Sequence, residues 1–112
     1  LEAEFMVNKG FEVLDIQGLN FETGIEFGCV TPEYWKSFAM EIDSPEADVI
    51  FLSCGGIRSL EVVQEIESET GKPVITSNQA QMWSCLRRAG IRDPIEGFGR
   101  IFSKPGNILG TN

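Results

Sequence analysis

Three cysteines and no histidine set the terms for any chemistry that this chain of 112 residues can perform. Cys29, Cys54 and Cys85 are odd in number and irregularly spaced, so they form neither a disulfide framework nor a zinc pattern. Without histidine, no Ser-His-Asp or Cys-His arrangement can be built from this chain alone, and the usual zinc ligand sets are excluded with it. What remains is thiols, carboxylates, hydroxyls, amines, guanidinium groups and backbone donors.

One stretch gathers several of these groups: Phe51 to Val63, FLSCGGIRSLEVV. An apolar run ends in Ser53 and Cys54, turns through Gly55 and Gly56, and passes Arg58 into a helical pattern. Adjacent glycines take backbone conformations closed to other residues, which lets their N–H groups turn toward an anion. The N-terminus of the following helix favours negative charge there, and such a helix end can lower a cysteine pKa from its free value of about 8.5. The same residues admit a second reading, in which Cys54 fills a small buried space and the glycines only make the turn. Arg58 suits equally a substrate carboxylate and an acid on the helix that follows. Ser53, Thr76, Ser77 and Asn78 fall at strand ends, within reach of a ligand, with Asn78 first of all a helix cap. Cys85 falls on the apolar face of a helix and reads as core. Cys29 lies in a loop on the same edge as Cys54.

The elements that must position these groups alternate along the chain. Leu1 to Lys9 reads as the tail of an amphipathic helix stopped by Gly10. FEVLDI, Phe11 to Ile16, alternates apolar and polar and reads as a strand near a sheet edge. A Gly-rich loop is expected from Gln17 to Val30. Thr31 caps a helix with Pro32 and Glu33 in its first turn, and Trp35, Phe38, Ala39 and Ile42 give it one apolar face. Ala47 to Ser53 has the continuous apolar pattern of a central strand covered on both faces. Ser59 is the expected N-cap of a helix over Leu60 to Thr70, ended by Gly71. Val74 to Thr76 is a short strand, and Asn78 with Gln81 resembles a capping box for a helix whose face holds Met82, Cys85, Leu86 and Ala89. From residue 90 onward the chain reads as an irregular tail crossing the surface or embracing a neighbour. Crossovers of this length suit parallel pairing. The expected architecture is a single three-layer, doubly wound α/β domain over residues 1–112, with a parallel sheet that lacks its first strand.

Charge and composition exclude other classes. Seventeen acidic against nine basic residues leave a formal net charge of -8, a field that repels phosphates and anionic head groups. Neither nucleic acid nor a membrane surface is an expected partner. No apolar stretch approaches the roughly 18 residues of a membrane span. The first ten residues lack a signal-peptide layout, and the unpaired cysteines suit a reducing compartment, so a cytoplasmic protein is expected.

Taken together, DVIFLSCGGIRSLEVVQEIESETGKPVITSNQAQMWSCLRRAGI and the later GFGRIF are similar to the carboxyl-terminal half of the aspartate/glutamate racemase superfamily. The branch they resemble holds maleate cis-trans isomerases and arylmalonate decarboxylases. The similarity extends in weaker form through GFEVLDIQGL and VTPEYW. Cys54 matches the catalytic cysteine of the family's carboxyl half. Cys54-Gly55-Gly56 looks like the decarboxylases, whereas Ile57-Arg58 and the SNQA of Ser77 to Ala80 look more like the isomerases.

The resemblance implies a cofactor-independent enzyme acting at the carbon next to a carboxylate of a small dicarboxylate. Cys54 would be nucleophile or proton carrier, with Gly55, Gly56, Arg58, Ser53 and Asn78 holding the substrate. Family members place two similar halves face to face, each giving a cysteine to the cleft, and this chain matches one half. Two expectations follow: a homodimer or higher oligomer that brings two copies of Cys54 together, or a domain that keeps the fold without the complete site.

Overall fold

The computed structural model describes residues 1–103; the final stretch of the expected tail, 104–112, lies outside the described residues. Its centre is a parallel pair of short strands, β1 (Ile50–Leu52) and β2 (Val74–Thr76), in the register Ile50 to Val74, Phe51 to Ile75 and Leu52 to Thr76. Parallel strands cannot be joined by a tight turn, and here the crossover is a 3-10 turn (Leu60–Val62) running into a helix, Val63–Thr70. The protein is thus of the α/β class with a parallel sheet. Three helices precede β1, namely α1 (Glu2–Asn8), α2 (Gly24–Cys29) and α3 (Pro32–Ile42), and the crossover helix is α4. After β2 come α5 (Ser77–Arg88) and a short α6 (Arg100–Ser103).

The core forms because three amphipathic pieces share one apolar patch. Thr31 accepts the Tyr34 N–H at 3.3 Å through its hydroxyl and starts α3 where the sequence places the cap. One turn later Trp35 and Ala39 are buried, while Phe38 and Ile42 are only half covered. Trp35 and Ala39 meet Val62, Val63 and Ile66 of the crossover, and Ile50, Leu52 and Val74 of the sheet. Burying such side chains contributes roughly 1.5–3 kcal/mol each, the main term opposing chain entropy. Lys36 ties α3 to α4 by reaching Glu65 at 3.1 Å and Glu69 at 2.6 Å, and Lys72 ties the start of β2 to Asp43 at 2.6 Å and to the Ser44 carbonyl. Gly71 ends α4 in the left-handed conformation, at φ 72°.

Several expected elements come out differently. FEVLDI forms no strand: no backbone hydrogen bond ties residues 12–16 to another segment among the described residues, and Leu14 and Ile16 are exposed. Alternating polarity specifies a strand only when a neighbour supplies the ladder. The central strand is covered on one face, not two, with Ile50 and Leu52 buried and Phe51 between them 41% exposed. Ser59 does not cap the crossover helix. It already has helical backbone angles, its buried hydroxyl has no partner among the described residues, and the chain tightens into the 3-10 turn instead. The loop from Gln17 contains α2, opened by a capping box in which Thr23 and Glu26 exchange side-chain and backbone bonds.

The segment expected to cross the surface also turns inward at its end. Gly99, Ile101 and Phe102 are buried. The buried Glu67 carboxylate accepts the Arg100 N–H at 3.0 Å and the Val74 N–H at 3.0 Å, so one side chain joins α4, β2 and this strap. Gly99 sits at φ 96°, and a Cβ there would stand 2.6 Å from Gln79 Nε2 and 2.8 Å from Val63 Cγ1. Only glycine fits that approach. Among the described residues no helix is long and apolar enough to cross a membrane.

Candidate active site

Because β1 and β2 run parallel in register, their carboxyl ends lie side by side, and the loop after β1 meets the start of α5. Cys54 occupies that loop with its thiol exposed and its backbone at φ 137°, a conformation rarely adopted by a residue with a side chain. Its N–H donates to Ser77 Oγ at 3.0 Å. The Gly56 N–H donates to Cys54 Sγ at 3.4 Å, so a backbone dipole points at the sulfur. Asn78 Nδ2 donates to the Gly55 carbonyl at 3.2 Å, and a Cβ on Gly55 would press to 3.3 Å from Asn78 Oδ1. The Gly55 N–H has no acceptor among the described residues, and the residue is exposed. A Cβ on Gly28, near the end of α2, would stand 3.8 Å from the Gly56 carbonyl oxygen.

The helix end at this site belongs to α5 rather than to the helix expected directly after the glycines. Five residues separate Cys54 from the 3-10 turn, whereas Ser77 and Asn78 of the 12-residue α5 touch the Cys54 loop directly. Aligned peptide dipoles give that end a partial positive charge, which favours an anion. The cap of α5 is Thr76, not Asn78. Thr76 Oγ1 accepts the Gln79 N–H at 3.1 Å, and Gln79 Oε1 accepts the Thr76 N–H at 2.7 Å. This capping box starts two residues before the Asn78–Gln81 pair and leaves the Asn78 amide free to grip the loop. The signal was present as T-S-N-Q, with the hydroxyl residue inside the strand.

Of the expected site residues, Ser53, Cys54, Gly55, Gly56 and Asn78 fall within one exposed turn or its immediate clamp. Arg58 is turned to Glu61, with Nε at 3.1 Å from one carboxylate oxygen and Nη2 at 2.9 Å from the other. That fork, together with the charge of Glu61, raises the guanidinium pKa above its ordinary value. Cys85 is exposed rather than core, as are Met82 at 56% and Ala89. The inward line of α5 runs through Gln79, Trp83 and Leu86, so the helical period was right and its phase was not. Cys29 closes α2 with its thiol exposed.

Comparison with known proteins places the sequence and the fold. Residues 2–102 fit the model of the arylmalonate decarboxylase family. The chain is 30% identical over 105 residues to an arylmalonate decarboxylase of Bordetella bronchiseptica, covering 93% of this chain and 42% of that protein. It is 32% identical over 112 residues to a maleate isomerase of Nocardia farcinica, covering 99% of this chain and 43% of that one. The chain therefore spans less than half the length of these curated relatives. Among solved structures, it superposes with a TM-score of 0.84 at 28% identity on a mutant Nocardia farcinica maleate cis-trans isomerase with a covalently bound succinylcysteine intermediate, covering 90% of this chain and 42% of that one. With a parallel βαβ unit, a cysteine-glycine-glycine turn at the end of its first strand and a family match over nearly all of its described residues, the chain belongs to the arylmalonate decarboxylase family.

Proposed function

We propose that this chain contributes the cysteine side of a cofactor-independent site acting at the carbon next to a carboxylate of a small dicarboxylate, with maleate isomerisation as the reaction. The observation that carries the reading is the Cys54 thiol itself, exposed at the strand end with the Gly56 N–H on its sulfur and the start of α5 alongside. In the proposed reaction the Cys54 thiolate forms a C–S bond to one olefinic carbon of maleate, and the π-electron pair moves onto the adjacent carboxylate. The former double bond is then single and rotates. The electron pair returns, the C–S bond breaks, and the thiolate leaves fumarate behind. The succinylcysteine seen in the Nocardia farcinica relative formed in a mutant with one cysteine replaced by serine, so it supports thiol addition to the substrate in that protein at a cysteine other than the one replaced.

Charge gathers on the carboxylate in the transition state, so donors placed beforehand accelerate the step. The free Gly55 N–H, the exposed Ser53 and the start of α5 are the groups assigned to this work, with Asn78 holding the turn in shape. Arg58 is assigned no substrate contact because Glu61 occupies it. The match to the arylmalonate decarboxylase family supports a second reading, in which the Cys54 thiol gives a proton to an enediolate left by decarboxylation. A complete cleft on the plan of the longer relatives needs a second wall, and a second copy of this chain is the proposed source. The cytoplasm, where free thiols persist, is the proposed location.

The test is alkylation of Cys54 with and without maleate, alongside proton NMR for fumarate. Protection with turnover that disappears in Cys54→Ser supports the isomerase. Protection without turnover supports a domain that binds but does not catalyse. Alkylation indifferent to both maleate and aryl malonates overturns the reading.

A further inference from the structure

Cys54 is held in a conformation that it would not choose. A non-glycine residue at φ 137° is strained and persists only when its surroundings hold it. Among the described residues, two side-chain hydrogen bonds fasten this loop to the rest of the fold: Cys54 N–H to Ser77 Oγ at 3.0 Å, and Asn78 Nδ2 to the Gly55 carbonyl at 3.2 Å. The first acts on the peptide plane that defines φ of Cys54. We propose that Ser77 is a positioning residue for the Cys54 thiol, fixing the backbone so that Sγ lies against the Gly56 N–H.

Ser77 can do this because its own place is fixed from behind. It is the first residue of α5, directly after Thr76, whose capping box with Gln79 is buried. Gln79 is 1% exposed, and its Nε2 donates to the Phe98 carbonyl at 2.6 Å. A continuous set of bonds thus runs from the inward-folded strap, through Gln79 and the α5 start, to the peptide of the nucleophile. The Ser77 oxygen is an acceptor in this contact, so its hydroxyl proton is directed elsewhere and is available to a ligand carboxylate. The assignment deepens the cysteine reading and rests on it for its catalytic meaning.

The experiment uses the full chain carrying Cys29→Ser and Cys85→Ser, so that only Cys54 reacts with iodoacetamide. Ser77→Ala is expected to slow labelling by about fivefold, the effect of losing one hydrogen bond, and to change its pH profile; Ser77→Thr restores both. Equal rates and an unchanged profile in Ser77→Ala overturn the proposal. Because Ser77→Ala can also weaken the fold, amide hydrogen exchange is read on the unsubstituted chain. A Cys54 N–H exchanging at least tenfold slower than the Gly55 N–H supports the bond, and equal exchange overturns it. No ligand enters these measurements. Alkylation of Cys54 indifferent to both maleate and aryl malonates therefore sinks the proposed function and leaves the Ser77 result standing, while the reverse failure leaves ligand protection intact.

Discussion

Arg58 carries a full positive charge four residues from Cys54, yet its guanidinium forks onto Glu61 of the following turn. A bidentate partner three residues away wins over a more distant anion because the turn brings the two together without ordering anything else. Arg58→Gln is therefore expected to leave maleate protection of Cys54 within about twofold of the parent; a loss beyond tenfold would return Arg58 to the substrate. Asn78→Ala should act differently, loosening the Gly55 carbonyl and weakening protection several-fold with little change in the urea midpoint. At this scale the sequence pointed to the thiol in the turn and gave no sign of which neighbours hold it. Cys54-Gly55-Gly56 is local chemistry and can be read in a row, whereas Ser77 reaches Cys54 across 23 positions of chain.

Among the elements, α4 and α5 show how polar side chains settle what apolar periodicity leaves open. The apolar residues of α5 predicted a face through Met82 and Cys85, but the buried positions of Thr76 and Gln79 set the rotation of the helix. The strap locks that rotation. Gly99→Ala adds a methyl group where Gln79 and Val63 already stand, at a φ unfavourable for any Cβ, and is expected to destabilise by about 2–4 kcal/mol, read as a lowered urea midpoint. Because Gln79 also sits behind Ser77, the same change should slow Cys54 labelling. The pair of helices α3 and α4 carries a pH signature of its own. Hydrogen bonds from Lys36 to Glu69 and then Glu65, opposed by some desolvation, raise the Lys36 pKa above 10.5. A raised pKa means that the native state holds its proton more tightly than the unfolded chain does. The contribution is thus complete below about pH 10.5 and is lost as pH rises through the native value. Urea midpoints of Lys36→Met and the parent, measured from neutral pH upward, should differ most at neutral pH and converge in strong alkali.

For the molecule as a whole, the parallel pairing, the α/β class and the strand-end location of the thiol were legible from composition and order, because hydrophobic period and crossover length constrain them directly. One sheet face is covered by α3 and α4, while Phe51 on the other is open. If two copies share a cleft through the Cys54 edge, light scattering should show a concentration-dependent dimer, and maleate should favour it; a strict monomer at high concentration with full maleate protection would show that one chain is enough to bind. The sequence by itself determined the chemistry on offer: a thiol beside two glycines, no imidazole, an acidic field and a family pattern over nearly the whole chain. Only the tertiary structure decided that α5 supplies the helix end at the thiol, that Ser77 holds the Cys54 peptide, that Arg58 is spoken for and that FEVLDI forms no strand with the described residues. Each of those outcomes is a competition between partners distant in sequence. Hydrogen bonds and ladders form only where folding brings donor and acceptor within about 3 Å, a proximity that no local pattern encodes.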